Sequence, residues 1–371
     1  MTDQRTGPVV WSGIIAVTCL LLMLLEHTLW LVVPFIFGTV LYYILLAPMQ
    51  RLLRAGVGQN AAALTVGALF MVAATLALLG LSSVIAVPEE PWRVMLTRYL
   101  DGGVAFVRHT MLLLEEKFPI LDQMHLTSMV NKRFKGFTAT FAQNHLAGIL
   151  VTVLGWLPSL LLAPFLAFFF LRDGAAFKKF LARAVPNAFF ERTLFLLHEV
   201  DQTARRYFEG LLKLTVIDTV VLALGLWAIG VQAPLVLGLI SAVLAWVPFV
   251  GSILGCVLVV VVASTDAPNN PLMAYGAIGV FIAVRLLDDF VFMPLTLGRS
   301  LKLHPLMTVL MIFVGGSLAG VAGLMLVLPL LGVVMVIGET MGQLITNSRL
   351  QARHRNAMAL RVQQASVDLA G

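Results

Sequence analysis

Carboxylates inside apolar runs are the residues of this chain best able to do chemistry. Asp218 lies in KLTVIDTVVLALG, about five residues or ~7 Å of helix beyond Lys213. Asp288 and Asp289 follow Arg285 in RLLDDFVFMPLTLGRSLKLHP, residues 285–305. A carboxylate held in apolar surroundings can carry a proton or a small cation, because protonation removes a charge that is costly to bury there. That is one reading of Asp218. The other is a structural pair with a basic group such as Arg285, or a reach toward water. For the second cluster, Arg285 and Asp289 stand four apart and can pair on one helix face, worth a few tenths of a kcal/mol (~0.2–0.5) if exposed. Alternatively Asp288 faces the bundle, where it binds a coupling cation or orients the segment that follows.

Other chemistries find no foothold in the sequence. There is no G-x-x-x-x-G-K-[ST] phosphate loop, and the GRS at Gly298 lacks the spacing and the lysine. The seven histidines are scattered, with no H-E-x-x-H and no Cys/His cluster, and no G-x-S-x-G elbow occurs. Neither a metal site nor a cofactor is expected, and no enzymatic activity. The two cysteines, Cys19 and Cys256, lie in apolar runs where they pack as small hydrophobes.

The elements that must position these carboxylates are membrane helices. Of 371 residues 60% are hydrophobic and 12% charged, and the mean hydropathy is +0.95, far above the soluble range. Repeated apolar runs match a hydrocarbon core of ~30 Å, and lipid leaves helices as the way to satisfy their backbone. The net charge of +6 sits in loops beside apolar runs, where it reports topology rather than nucleic-acid binding.

The expected organisation follows the chain. Residues 1–88 hold three transmembrane helices, residues 89–145 an extracytoplasmic amphipathic helical region, and residues 146–171 a fourth transmembrane helix. Residues 172–213 form cytoplasmic amphipathic helices, with Asp173 capping one that begins near Ala175. Residues 214–345 form a transport core and residues 346–371 a basic cytoplasmic tail. The arginines and lysines place both termini in the cytoplasm. Within the core two apolar stretches are broken, one around Pro248 and Gly251, the other around Gly315, Gly316, Gly320 and Gly323. Arms of about 14 residues span only ~21 Å, too short to cross, so re-entrant hairpins fit better than full spans. Paired interrupted helices entering from opposite faces point to a secondary transporter with its site near the midplane. Two kinked full spans are the plainer reading.

Four blocks then resemble a known family: LAPFLAFFFLRDG (162–174), YFEGLLKL (207–214), LGLISAVLAWVPFVGSILG (237–255) and LLDDFVFMPLTLGRSLKLHPLMTVLMIFVGGSLAGVAGLMLVLPLL (286–331). Their order and spacing are similar to those of the autoinducer-2 exporter family of bacterial permeases, over most of the chain. The resemblance implies an all-α, multi-pass inner-membrane permease of about eight helical segments that assembles as a homo-oligomer. It also implies export of a small polar solute, the quorum-sensing molecule autoinducer-2 in some members and sodium/proton antiport in others. Members often have Asp-Asn where this chain has Asp288 and Asp289, and the second carboxylate makes Na+ or H+ binding more accessible here. The block from Asp288 to Pro305 resembles a junction before the last hairpin, so Pro294, Gly298 and Pro305 are read as its hinge or gate.

Three functions emerge. The first is export of a small polar molecule, with the site between the two breaks, where unwound backbone offers N–H and carbonyl groups. The second is sodium/proton antiport at Asp218 or Asp288. The third is a non-transporting membrane scaffold whose residues 89–144 bind an extracytoplasmic partner.

Overall fold

In the absence of water a backbone must satisfy its own hydrogen bonds, and the described residues do so with helices. The computed structural model describes residues 8–27, 29–84, 92–118, 127–128, 146–183, 190–268, 270–296 and 305–346, and among them there is no strand. The helices are α1 (Pro8–His27), α2 (Leu29–Arg54), α3 (Gln59–Val84), α4 (Trp92–Lys117), α5 (Leu146–Arg183), α6 (Phe190–Ala228), α7 (Pro234–Leu244), α8 (Val250–Asp266) and α9 (Pro271–Leu287). A π-helical turn, Asp288–Phe292, leads into α10 (Met293–Thr296), and α11 (Pro305–Thr346) completes the fold. Pro34–Arg54, Gln59–Leu76 and Thr193–Ala228 are long and apolar enough to cross a membrane. Leu69, Leu76, Leu161 and Trp227 point outward at 63–77% exposure, as side chains facing lipid do. The protein is an all-helical, polytopic membrane protein.

Two expectations change. Asp173 lies inside α5, which runs unbroken to Arg183, so there is no helix start for it to cap; its carboxylate instead accepts from Arg172 Nε at 3.1 Å. The boundary expected at residue 213, between cytoplasmic amphipathic helices and the transport core, falls inside one helix, α6, because the sequence from Phe190 to Ala228 contains no proline and its two isolated glycines, Gly210 and Gly225, do not stop a helix.

The described residues divide into two compact units. One comprises Met1–Val33, Phe169–Phe208 and Ser300–Gly371. Its core joins α1 to α11 through Ile14, Leu22, Met311, Val327 and Leu331. Here α11 is a hairpin rather than a rod. Ala319 (φ −135°, ψ 22°) and Gly320 (φ 55°, ψ −140°) leave helical geometry, and a Cβ on Gly315 would lie 2.7 Å from the Gly323 carbonyl oxygen. In a straight helix those residues would be ~12 Å apart. The chain therefore doubles back, and its first arm, from Pro305 to the break, is ~21 Å long.

The second unit comprises Pro34–Phe168 and Glu209–Arg299. Its core is Leu222 and Leu226 of α6, Leu237 of α7, Val259 and Ala263 of α8, and Ala274, Ala277, Phe281 and Val284 of α9. Between helices already in lipid the hydrophobic effect adds little, so small residues and close backbone approach carry the packing. Gly238 of α7 is an example, since a Cβ there would meet the Thr219 carbonyl oxygen at 2.6 Å. The break expected near Pro248 is present as a turn between α7, ~16 Å long, and α8, ~25 Å. Phe249 holds φ 62° in it, and any Cβ on Gly251 would run into the Leu244 carbonyl. The amphipathic α4 packs on α8 and α9, where Thr110 Oγ1 and the Tyr275 hydroxyl are 2.9 Å apart. The rest of the 89–145 region lies outside the described residues, apart from Phe118 and Thr127–Ser128, as do Gly298 and the 347–371 tail.

Candidate functional site

Spacing along α6 builds one half of the site. Thr215, Asp218, Thr219 and Leu222 recur at helical intervals and are all buried, while Val216, Val220 and Leu224 on the other side are exposed. The two threonines turn their hydroxyls inward to their own helix, Thr215 Oγ1 donating to the Leu211 carbonyl at 2.8 Å and Thr219 Oγ1 to the Thr215 carbonyl at 2.7 Å. Trp246, in the α7–α8 turn, donates its Nε1–H to Thr215 Oγ1 at 2.8 Å and ties that turn to the stripe.

The other half comes from α9 and the turn after it. Phe281, Val284 and Asp288 share the buried face, and Arg285 reaches across it. Its Nη2 lies 2.5 Å from Asp288 Oδ2, and its Nη1 lies 3.9 Å from Asp218 Oδ2. The side chains of Asp288 and Asp218 are 4% and 6% exposed and that of Arg285 25%. The two carboxylates therefore share one guanidinium. Each has a second oxygen, Asp218 Oδ1 and Asp288 Oδ1, that is buried and without a hydrogen-bond partner among the described residues; Ser241 Oγ of α7 is in the same condition.

Two of the readings agree with the structure, the pairing of Asp218 with Arg285 and the turning of Asp288 into the bundle, while Asp289 is misplaced. The anticipated Arg285–Asp289 pair is absent: Arg285 pairs with Asp288 three residues on, and Asp289 is exposed. Asp288 continues the buried Phe281–Val284 face of α9 at helical spacing, whereas Asp289 stands one residue, ~100°, further round. Helical backbone continues through both aspartates to Thr296, with Pro294 exposed on α10. Pro305 opens α11. Pro248 and Gly251 belong to the unit holding the carboxylates, and Gly315, Gly316 and Gly320 to the other. Sequence reading missed Trp246, for which the signal was an indole two residues before Pro248.

With both carboxylates ionised the cluster carries one excess negative charge. Burial of an uncompensated ion costs several kcal/mol, so a site like this favours uptake of a proton or a monovalent cation. Among the described residues no three His, Cys, Asp or Glu side chains converge as a metal site would require.

A family model described as "AI-2E family transporter" matches residues 13–342. Among curated proteins the chain is 33% identical over 174 residues to "Putative transport protein YrrI" of Bacillus subtilis, covering 47% of this chain and 48% of that one. It is 30% identical over 171 residues to "Putative transport protein YueF" of the same organism, covering 46% of each. It is also 32% identical over 173 residues to "Putative transport protein MT0215" of Mycobacterium tuberculosis, covering 44% of each. The matched stretch spans about half the length of these curated relatives.

Proposed function

Because the chain belongs to the AI-2E transporter family, we propose that it is a secondary transporter exporting a small polar molecule of the autoinducer-2 kind across the bacterial inner membrane. The observation that carries this reading is the shared guanidinium. Two buried carboxylates with one counter-ion form a group that changes charge when a proton or Na+ enters or leaves, and a charge change inside lipid is a means of coupling solute movement to an ion gradient. The turn after α7, in the same unit as the carboxylates, supplies unwound backbone for the solute, as discontinuous helices do in other transporters. The protein works as a homo-oligomer with both termini in the cytoplasm, and quorum signalling is its physiological setting.

A second reading, sodium/proton antiport without a metabolite, is favoured by the same excess charge. One experiment separates the two. Purified protein in proteoliposomes is assayed for pH-gradient dissipation and for autoinducer-2 flux, with and without Na+, in wild type, Asp218→Asn and Asp288→Asn. Solute flux that needs the gradient and fails in either variant supports the exporter. Na+-dependent proton movement without solute, lost in the variants, supports antiport. Gradient and flux both unaffected by the substitutions would refute a coupling role for the cluster.

A further inference from the structure

Far along the same unit, α4 crosses α8 at two adjacent glycines. A Cβ on Gly103 would lie 3.1 Å from Val261 Cγ2, and one on Gly102 3.1 Å from Thr265 Cα, so the two helices approach closely there. Beside that crossing they leave an open cavity of about 600 Å3. Its polar wall is Thr97, Arg98 and Asp101 of α4 with Thr265 and Asp266 at the end of α8.

The groups left for a ligand are charged. Both threonine hydroxyls already donate to their own helices, Thr97 to the Val94 carbonyl and Thr265 to the Val261 carbonyl, each at 2.8 Å. Asp266 Oδ2 accepts from the Gln232 N–H at 2.8 Å. Arg98 and Asp101 stand three positions apart, where Cβ atoms are ~5–6 Å from each other, yet no ion pair joins them among the described residues. A neutral polyol would offer no charge to either. A simple anion would meet two carboxylates, and a simple cation would meet the guanidinium. A ligand with both signs a bond or two apart satisfies both, and Val94 and Ala105 complete the wall for a short aliphatic side chain.

We propose that this cavity binds a small zwitterion of the α-amino acid type, its carboxylate on Arg98 and its ammonium on Asp101 with Asp266. The site is separable from the transport reading, because binding is measured without a gradient and at residues outside the Asp218–Arg285–Asp288 cluster. Full-length protein in detergent is titrated with radiolabelled L-alanine and L-leucine, and bound label is competed with lactate, alaninamide and glucose. Saturable amino-acid binding is expected, weakened about 10-fold or more by Arg98→Gln and by Asp101→Asn, as loss of one charged hydrogen bond requires. Lactate and alaninamide, which keep one charge each, should compete about 10-fold less well. Absence of saturable binding of either amino acid, unchanged affinity in both variants, or glucose competing as well as alanine would overturn the proposal. Both substituted residues are exposed and their variants are expected to fold; should one fail to, the competition series on wild type decides alone.

Discussion

Replacing Arg285 with methionine removes the single cation from a pocket in which two carboxylates are 4% and 6% exposed. Methionine fills much of the arginine stem's volume, so the loss is mainly of charge. Deleting one partner of a buried ion pair costs about 3–5 kcal/mol. Most of that should come from Asp288, whose oxygen is 2.5 Å from the guanidinium. The Asp218 contact at 3.9 Å is worth at most ~4 kcal/mol of gross attraction at an effective dielectric near 20, before repulsion between the carboxylates is subtracted. Adding Asp288→Asn to Arg285→Met should therefore recover more stability than adding Asp218→Asn. The deficit should also shrink as the pH falls, since a protonated carboxyl brings no charge into the pocket. SDS denaturation, followed by tryptophan fluorescence, measures the wild type and the three variants at two pH values. A cost for Arg285→Met below about 1 kcal/mol, or a double variant no more stable than the single one, would refute the shared-counter-ion account.

Asp289→Asn, at an exposed position, should stay within about 0.5 kcal/mol of wild type and keep its transport rate, in contrast to Asp288→Asn. Gly251→Val should cost about 1–3 kcal/mol of stability in the denaturation assay or abolish folding, because the new Cβ meets the Leu244 carbonyl. Gly320→Ala should also cost about 1–3 kcal/mol, though nothing lies within 4 Å of its Cβ. There the cause is backbone geometry at φ 55°, ψ −140°, so serine should be no better tolerated than alanine in the same midpoint assay. Trp246→Phe should cost about 0.5–1.5 kcal/mol by removing the hydrogen bond to Thr215, read by the same denaturation series.

Composition alone was enough for the helical membrane class, since lipid permits so few alternatives. The two broken stretches were legible because glycine and proline concentrate in them, and the structure bends at Phe249 and at Ala319–Gly320. Asp218 and Asp288 were legible because charge inside an apolar run must have a partner. Boundaries drawn from charge failed for a different reason. Lys178 and Asp201 pair at 2.9 Å between α5 and α6, and long helices carry such residues without stopping. The choice of Asp288 over Asp289 follows the Ala274–Ala277–Phe281–Val284 stripe at helical spacing, a cue that the adjacency of the two carboxylates obscured. The cavity beside Gly102–Gly103 had one local sign, two glycines inside an otherwise helical stretch, but its other wall comes from residues more than a hundred positions later.

The π turn at Asp288–Phe292 has a bearing on how this chain is compared with its relatives. Such a turn is an α-helix carrying one residue too many, and a residue of helix is ~100° of rotation. A relative lacking the surplus residue would run a plain helix through this point, with every side chain beyond it on a different face. The natural event separating the two forms is an insertion or deletion, not a substitution. Alignments that forbid gaps inside helices would then keep Asp288, at the start of the turn, in register with α9 but set the residues after the turn one position out, so that equivalent positions of α10 would look variable.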